Sequence, residues 1–178
     1  MVKRKQLAST PIPDNMRNNW TTPQFMWHYI STNWNIICDV AASLENHLCK
    51  LFFTKEINAL NQDWIKLMGA MDGEPPRYVY GNPPYDDLDS WFAKFARESG
   101  RGNLGVVALV PAYAGEKRWH RYVWGKASRI IFPTGRLSYG HPITGENKKT
   151  ANFGSVIIVW EPYHRLPVGR TICEPLFI

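Results

Sequence analysis

The chain has 178 residues, of which 44% are hydrophobic and 20% are charged, a composition typical of a globular rather than a disordered protein. No apolar run approaches the ~20 residues of a membrane-spanning helix, and no apolar segment follows the basic N-terminus as in a secretory signal, so we expect a cytoplasmic protein. The formal net charge of +6 favours a polyanionic partner such as nucleic acid.

The N-terminal residues divide into an arm and the start of a domain. Residues 1–18 are polar and carry several basic side chains, so we predict a flexible basic arm followed by a single domain over residues 19–178. A helix is predicted over residues 24–32, because Thr21 or Thr22 can cap its amino end and the proline that follows them suits a first turn.

Short apolar runs alternate with helical patterns along the rest of the chain. Strands are predicted at residues 35–40, 51–54, 78–80, 104–111, 129–132 and 155–160. Residues 41–49 are predicted as a turn that leads into a helix, where Ser43 can form the cap, residues 86–99 as a helix, and residues 116–126 as helical or irregular. A polar loop over residues 133–154 and an irregular, proline-rich C-terminal segment complete the pattern.

Strands that alternate with helices predict an α/β fold, with a doubly wound and mostly parallel sheet that is covered on both faces. No helix separates the last two predicted strands, so we expect them to form an antiparallel hairpin at one edge of this sheet. In such folds, ligands bind at the carboxyl ends of the strands.

The most specific pattern is Asn82-Pro83-Pro84-Tyr85, which directly follows the third predicted strand. The two prolines fix the backbone and remove two donors, which leaves the carbonyl of Pro83 as a rigid acceptor beside the side-chain oxygen of Asn82. Two adjacent acceptors fit an amino group with two N–H donors, and the ring of Tyr85 offers a face for an aromatic base. Such a pocket can aim the amino lone pair at a methyl sulfonium by positioning, once the base has left its helix. The alternative is a proline-rich turn capped by the asparagine.

The segments around this motif resemble, in their order along the chain, the phage-type (Dam-like) DNA N-6-adenine methyltransferase family. The matching segments, over residues 19–162, are Trp20-Thr21-Thr22-Pro23, Asp39-Val40-Ala41-Ala42-Ser43 with Asn46, Phe53-Thr54 leading to Asn58-Ala59-Leu60, Asp63-Trp64, Asn82-Pro83-Pro84-Tyr85 with Trp91, Gly135-Arg136-Leu137 and Gly154-Ser155. The resemblance implies a Rossmann-like methyltransferase fold that uses S-adenosyl-L-methionine to methylate the exocyclic amino group of adenine in DNA, in a phage or prophage context and thus in a host bacterial cytoplasm. It assigns the catalytic role to Asn82, Pro83, Pro84 and Tyr85.

The resemblance also implies a cofactor site. Asp39 would pair with the ammonium group of the cofactor, Glu56 would bind the ribose hydroxyls, and Asp63 would reach the adenine amino group. The alternative interpretation of each is an ordinary surface or helix-capping acid. The cofactor-binding candidates are Trp20, Thr21, Thr22, Pro23, Asp39, Ala41, Ser43, Glu56 and Asp63. Residues 41–43 depart from the Gly-x-Gly turn of many methyltransferases, although their small side chains still permit close approach of a ligand.

Basic residues of the second half of the chain are the candidates for contacting double-stranded DNA. A separate recognition domain does not fit in 178 residues, so residues 116–129 and 133–154 are expected to take that role. The candidates for phosphate contacts are Lys117, Arg118, Arg121, Lys126, Arg129, Arg136, Lys148 and Lys149. A solvated helix face is the alternative interpretation of the same charges.

Neither a metal site nor a disulfide framework is predicted. The three cysteines, Cys38, Cys49 and Cys173, are odd in number and include no Cys-x-x-Cys pair. His120 and His141 are isolated and lack metal-ligand spacing, so we treat them as structural or DNA-facing.

Two other functional interpretations stay open. The same motif can bind the amino group of an RNA adenine or a protein glutamine, since the basic charge does not separate RNA from DNA. The unusual turn at residues 41–43 motivates a third hypothesis, a non-catalytic DNA-binding protein with the same fold.

Overall fold

The computed structural model describes residues 20–68, 75–140, 147–162 and 170–177, and the arm predicted over residues 1–18 lies outside them. Its helices are α1 (Gln24–Asn33), α2 (Trp64–Met68), α3 (Leu88–Ser99) and α4 (Lys117–Tyr122), with short 3-10 helices at Ala59–Asn61 and Tyr85–Asp87. Its strands are β1 (Ile36–Asp39), β2 (Leu51–Phe52), β3 (Arg77–Gly81), β4 (Leu104–Pro111), β5 (Arg129–Pro133), β6 (Ser138–Gly140), β7 (Asn147–Thr150), β8 (Ser155–Trp160) and β9 (Ile172–Leu176).

Seven of these strands form one sheet in the order β2-β1-β3-β4-β8-β5-β9. Strand β8 runs antiparallel to its neighbours β4 and β5, whereas the other neighbours in this sheet are parallel. One face packs against α1 through Met26 and Ile30, and the other packs against α3 through side chains such as Phe92 and Phe95. This confirms the predicted mixed α/β fold of Rossmann-like type.

The antiparallel pair predicted from the last two strands is present, but its predicted position at the sheet edge is wrong. Strand β8 lies inside the sheet between β4 and β5, and β9 adds a parallel edge strand beyond β5. The proline-rich sequence of β9 predicted irregular structure. An edge strand has a partner on one side only, so it tolerates Pro175, which cannot donate a ladder hydrogen bond.

Residues 41–49, predicted as a turn that leads into a helix, form turns without a helix. The carboxylate of Asp39 accepts hydrogen bonds from the main-chain N–H groups of Ala41 and Leu48, both at 3.2 Å. The side chain of Asn46 accepts another from the main-chain N–H of Ser43 at 2.7 Å. Side chains that bond the backbone locally compete with a helical ladder, so this segment wraps around the end of β1.

The cap predicted for α1 is also replaced by other contacts. Pro23 occupies the N-cap position, and no side-chain hydrogen bond caps the helix. The hydroxyl of Thr22 instead bonds the hydroxyl of Tyr80, and the backbone of Thr21 pairs with that of Gly140 in β6. Residues 20–22 are therefore held between β3 and β6 rather than by the helix that follows them.

The predicted polar loop over residues 133–154 contains a short antiparallel ribbon made of β6 and β7. Its backbone bond to Thr21 places the base of the ribbon beside residues 20–22. None of the helices in the described ranges is both long and apolar enough for a membrane span.

Candidate active site

The ends of β1 and β3 bring the two principal predicted residues to one edge of the sheet. These strands are parallel neighbours in which Asp39 pairs with Tyr80. Asp39, at the end of β1, and Asn82, directly after β3, therefore lie at the same edge of the sheet. A cleft of about 220 Å³ opens there, lined by Trp20, Thr21, Thr22, Asp39, Ala41, Asn46, Leu48, Tyr80 and Asn82. The structure thus groups five of the nine cofactor-binding candidates and one of the four catalytic candidates, Asn82, around this cleft. Tyr85 is joined to the group through its hydrogen bond to Asn82.

Hydrogen bonds fix the side-chain amide of Asn82. Its Nδ2 donates to the main-chain oxygen of Trp20 at 3.0 Å, and the hydroxyl of Tyr85 donates to its Oδ1 at 3.2 Å. A main-chain carbonyl only accepts, so the amide nitrogen must face Trp20 and the oxygen must face away from it. Since a carbonyl oxygen has two lone pairs, Oδ1 keeps the capacity to accept a second hydrogen bond.

Aromatic side chains surround the motif tyrosine. The ring of Tyr85 meets the ring of Phe153 edge to face, with 5.4 Å between centroids. Burial, followed by the nearby Tyr139, raises the pKa of Tyr85 well above its usual value, so its hydroxyl stays protonated and can donate to Asn82. Sequence reasoning missed Phe153; its position in the loop directly before β8 was the available signal.

Asp39 is a buried carboxyl group beside the cleft, with 3% of its surface exposed. Burial raises its pKa from 3.8 to about 6, while the N–H groups of Ala41 and Leu48 and the nearby His47 act in the opposite direction. A cleft-lining acid whose charge is poorly solvated is a candidate for binding a cationic group.

A second buried contact joins residues 20–22 to β3. The hydroxyls of Thr22 and Tyr80 lie 2.6 Å apart, and Tyr80 has 1% of its surface exposed. Tyr80 and Leu48 line the cleft but were not predicted as site residues. Tyr80 lies there through the pairing of β3 with β1, and Leu48 through the bond of its main-chain N–H group to Asp39.

Four predicted cofactor contacts lie outside the cleft lining: Pro23, which directly follows Thr22, and Ser43, Glu56 and Asp63. Ser43 is in the loop after β1, where its hydroxyl donates to Glu45 at 2.8 Å. Glu56 follows the carboxyl end of β2 and is exposed, and the hydroxyl of Thr54 lowers its pKa. Its predicted contact with ribose stays a prediction.

Asp63 is at the wrong end of the sheet for its predicted role. Its carboxylate pairs with Arg101 at 2.9 Å and accepts from the main-chain N–H of Lys66 at 3.1 Å. Arg101 precedes the amino end of β4, which is opposite to the edge that carries Asp39. We therefore do not retain Asp63 as a cofactor contact.

The predicted basic cluster is divided between two ends of the sheet. Arg136 follows the carboxyl end of β5, on the edge that carries Asn82, whereas Lys126 and Arg129 lie at its amino end. Arg129 also lies 3.7 Å from Glu174. The cluster is thus not one continuous surface.

The remaining basic candidates differ in whether their side chains form ion pairs within the protein. Arg118 is held by Glu116 and, at 2.9 Å, by Asp89, so it is committed to intramolecular ion pairs. Lys117 and Arg121 are exposed on α4. The side chains of Lys148 and Lys149, together with His141, lie outside the described residues.

Within the described ranges, no group of three or more His, Cys, Asp or Glu side chains is arranged to hold a metal ion. The three cysteines are free thiols, and Cys38 is buried.

Comparison with known proteins adds a family to this geometry. Residues 9–173 match the family described as DNA N-6-adenine-methyltransferase (Dam). The chain is similar to a DNA N-6-adenine-methyltransferase of Escherichia phage T1, with 28% identity over 191 residues that cover 98% of this chain and 76% of the relative. It is also similar to a DNA N-6-adenine-methyltransferase of Haemophilus phage HP1, with 28% identity over 153 residues that cover 84% of this chain and 81% of the relative.

Proposed function

The chain belongs to the DNA N-6-adenine-methyltransferase (Dam) family, and from that premise we propose that it methylates the exocyclic amino group of adenine in double-stranded DNA, using S-adenosylmethionine. The observation that carries this proposal is the fixed amide of Asn82, whose oxygen retains an acceptor site at the edge of a cleft that also contains Asp39.

The donor set of the cleft fits the cofactor. Asp39 supplies a buried carboxylate for an ammonium group, and pairing with that cation would offset the cost of burying the charge. When bound, the cofactor supplies an electrophilic methyl group on a sulfonium.

The motif residues hold the target base in this proposal. Oδ1 of Asn82 and the carbonyl oxygen of Pro83 accept the two amino N–H groups, and the ring of Tyr85 stacks on the purine. Two acceptors aimed at the nitrogen would stabilise the positive charge that it gains as the N–CH3 bond forms and the S–CH3 bond breaks, and the nitrogen would then lose one proton to solvent. Positioning and preorganised dipoles supply the catalysis, and the base must be extruded from its duplex to reach them.

DNA would approach the carboxyl edge of the sheet. Arg136 follows β5 at that edge, and the ribbon of β6 and β7 is tied to the cleft through Thr21. We propose that Arg136, the exposed Lys117, and Lys148 and Lys149 of the ribbon contact phosphates.

The decisive test supplies labelled S-adenosylmethionine with DNA, RNA or a glutamine-containing protein as the acceptor. We expect label in DNA, recovered as N6-methyladenine after digestion to nucleosides. Label in RNA or protein but not in DNA would refute the proposed substrate, and absence of cofactor binding by calorimetry would favour a non-catalytic DNA-binding protein.

The role of Asn82 is tested by Asn82→Ala. We expect its kcat to fall at least about 100-fold, as for the loss of a transition-state hydrogen-bonding group, while the cofactor dissociation constant changes less than about threefold. Asn61→Ala, at an exposed position, is the matched control and should retain wild-type activity. Normal methylation by Asn82→Ala would exclude the mechanism.

A further inference from the structure

Two buried hydroxyl groups meet next to the motif asparagine. The side-chain oxygens of Thr22 and Tyr80 lie 2.6 Å apart, and these residues are 8% and 1% exposed. Replacing both partners of a buried hydrogen bond by apolar groups of the same shape, here Val and Phe, can be nearly neutral or even stabilising, so core packing alone does not require these two hydroxyls. The pair therefore calls for a role beyond filling the core.

The partners of Asn82 indicate that role. Its Nδ2 donates to the main-chain oxygen of Trp20 at 3.0 Å and lies 3.5 Å from the hydroxyl of Thr22. Both acceptors belong to residues 20–22, so the position of this segment determines where the amide of Asn82 points.

Besides the bond to Asn82, two contacts with described residues hold the segment. On one side, the backbone of Thr21 exchanges hydrogen bonds of 3.1 and 3.0 Å with that of Gly140 in β6. On the other side, the hydroxyl of Thr22 bonds to Tyr80 in β3, two residues before Asn82. The hydroxyl pair thus links the segment to the strand that presents the asparagine, independently of the asparagine itself.

We propose that Tyr80 and Thr22 are positioning residues for Asn82. Their hydrogen bond holds residues 20–22 against β3, so that the Trp20 carbonyl receives Nδ2 and Oδ1 is turned toward the target amino group. This inference rests on the proposed role of Asn82 as an acceptor for that group.

The first test is Tyr80→Phe, which removes one hydroxyl and keeps the ring. We expect kcat to fall about 10- to 100-fold, the effect of a small misplacement of a reacting group, while the KM for DNA and the dissociation constant for S-adenosylmethionine stay within threefold of wild type. Tyr78→Phe, on the same strand but bonded to Glu161 at its amino end, is the matched control and should keep the wild-type kcat.

The second test compares two substitutions of the partner. Thr22→Ser keeps the hydroxyl and should retain most of the kcat at saturating cofactor, whereas Thr22→Val is close to isosteric and should lose as much as Tyr80→Phe. The two hydroxyls act through one bond. The kcat of the double variant Tyr80→Phe/Thr22→Val should therefore be no lower than that of the less active single variant. Thermal melts confirm that each variant is folded at the assay temperature.

The outcomes separate this inference from the proposed function. A wild-type protein that does not methylate DNA would refute the proposed function. An active wild type with an unchanged kcat in Tyr80→Phe would overturn the positioning role alone. A loss confined to cofactor affinity would assign the pair to cofactor binding and also overturn it.

Discussion

At the scale of single residues, Asp39 combines burial with charge. Its pKa is raised from 3.8 to about 6, so the folded protein binds a proton at this carboxyl more tightly than the unfolded chain does. The resulting stabilisation is complete below the unfolded pKa and is lost as the pH rises through about 6. Ionised Asp39 in the ligand-free protein therefore opposes folding by about 3 kcal/mol, which a bound cation can offset.

Cofactor affinity should follow the ionisation of this group. We expect the dissociation constant for S-adenosylmethionine to be lowest near pH 7 and to rise about tenfold for each pH unit below 6, because protonated Asp39 cannot pair with an ammonium group. Calorimetric titration between pH 5 and pH 8 measures it. Asp39→Asn should bind weakly and without this pH dependence, whereas Asp63→Asn, at the opposite edge, should behave as wild type. A pH-independent affinity in the wild type would refute the role of Asp39.

The two parts of the Tyr85 side chain are expected to contribute differently. Tyr85→Ala should lower kcat/KM by about 5- to 150-fold, which corresponds to the ~1–3 kcal/mol of stacking between a base and an aromatic ring. Tyr85→Phe keeps the ring and loses the hydrogen bond to Oδ1 of Asn82, so its loss should be smaller. Steady-state kinetics on a DNA duplex test both variants. Equal losses would show that the hydroxyl rather than the ring is what matters.

At the scale of elements, the close packing of α3 on β3 depends on a glycine. A Cβ atom at Gly81 would lie 2.9 Å from Cζ of Phe95, a fully buried ring of α3, and 3.4 Å from Val40. Because Gly81 directly precedes Asn82, the same contact that packs the core also sets the position of the motif.

We therefore expect Gly81→Ala to destabilise the protein by about 1–3 kcal/mol, as overpacking does, and to lower methylation even where the protein is folded. Denaturant unfolding and activity well below the melting temperature give the two values. Gly115→Ala is the control, since a Cβ there meets no heavy atom within 4 Å. A destabilisation of the control as large as that of Gly81→Ala would argue against the packing explanation.

Which elements the sequence predicted depends on the range of the interactions that form them. The bounds of β4, Leu104–Pro111, agree with the prediction because an uninterrupted apolar run specifies a buried central strand locally. The Asn82–Tyr85 motif was placed correctly at a strand end for the same reason. The turns at residues 41–49 depend on side-chain bonds of Asp39 and Asn46 to the backbone, which the apolar pattern does not reveal. Strand β9 depends on pairing with β5, which lies about 40 residues earlier.

The difference between local and long-range interactions also decides which site residues the sequence predicted. Asp39 and Asn82 were predicted together because parallel strands place their carboxyl ends at one edge. Asp63 was misplaced because its partner, Arg101, is 38 residues away, and no local pattern reveals that ion pair. Tyr80 and Thr22, 58 residues apart, were identified as a pair only from the folded arrangement.

At the scale of the whole molecule, the direction of the sheet determines which charges can meet DNA together with the cleft. Arg129 begins β5 and Arg136 follows its other end, and the strand between these ends is about 13 Å long, four steps of ~3.3 Å. Gly135, with a φ of 78°, forms the turn that presents Arg136 beyond the carboxyl end. DNA that reaches Asn82 lies over that end and away from Arg129.

The two arginines should therefore differ in their effect on DNA binding. Arg136→Gln should reduce the magnitude of the negative slope of log K against log salt concentration by about 0.9, which corresponds to the counterions released from one phosphate. It should weaken the binding of all DNA sequences alike. Arg129→Gln has the same change in charge and should leave the slope unchanged, because its position is at the amino end. Fluorescence anisotropy with a labelled duplex over a salt series measures both slopes. If Arg129→Gln changed the slope and Arg136→Gln did not, the DNA would have to bind at the amino edge of the sheet, opposite to the cleft. Such a result would contradict the proposed approach of DNA to Asn82.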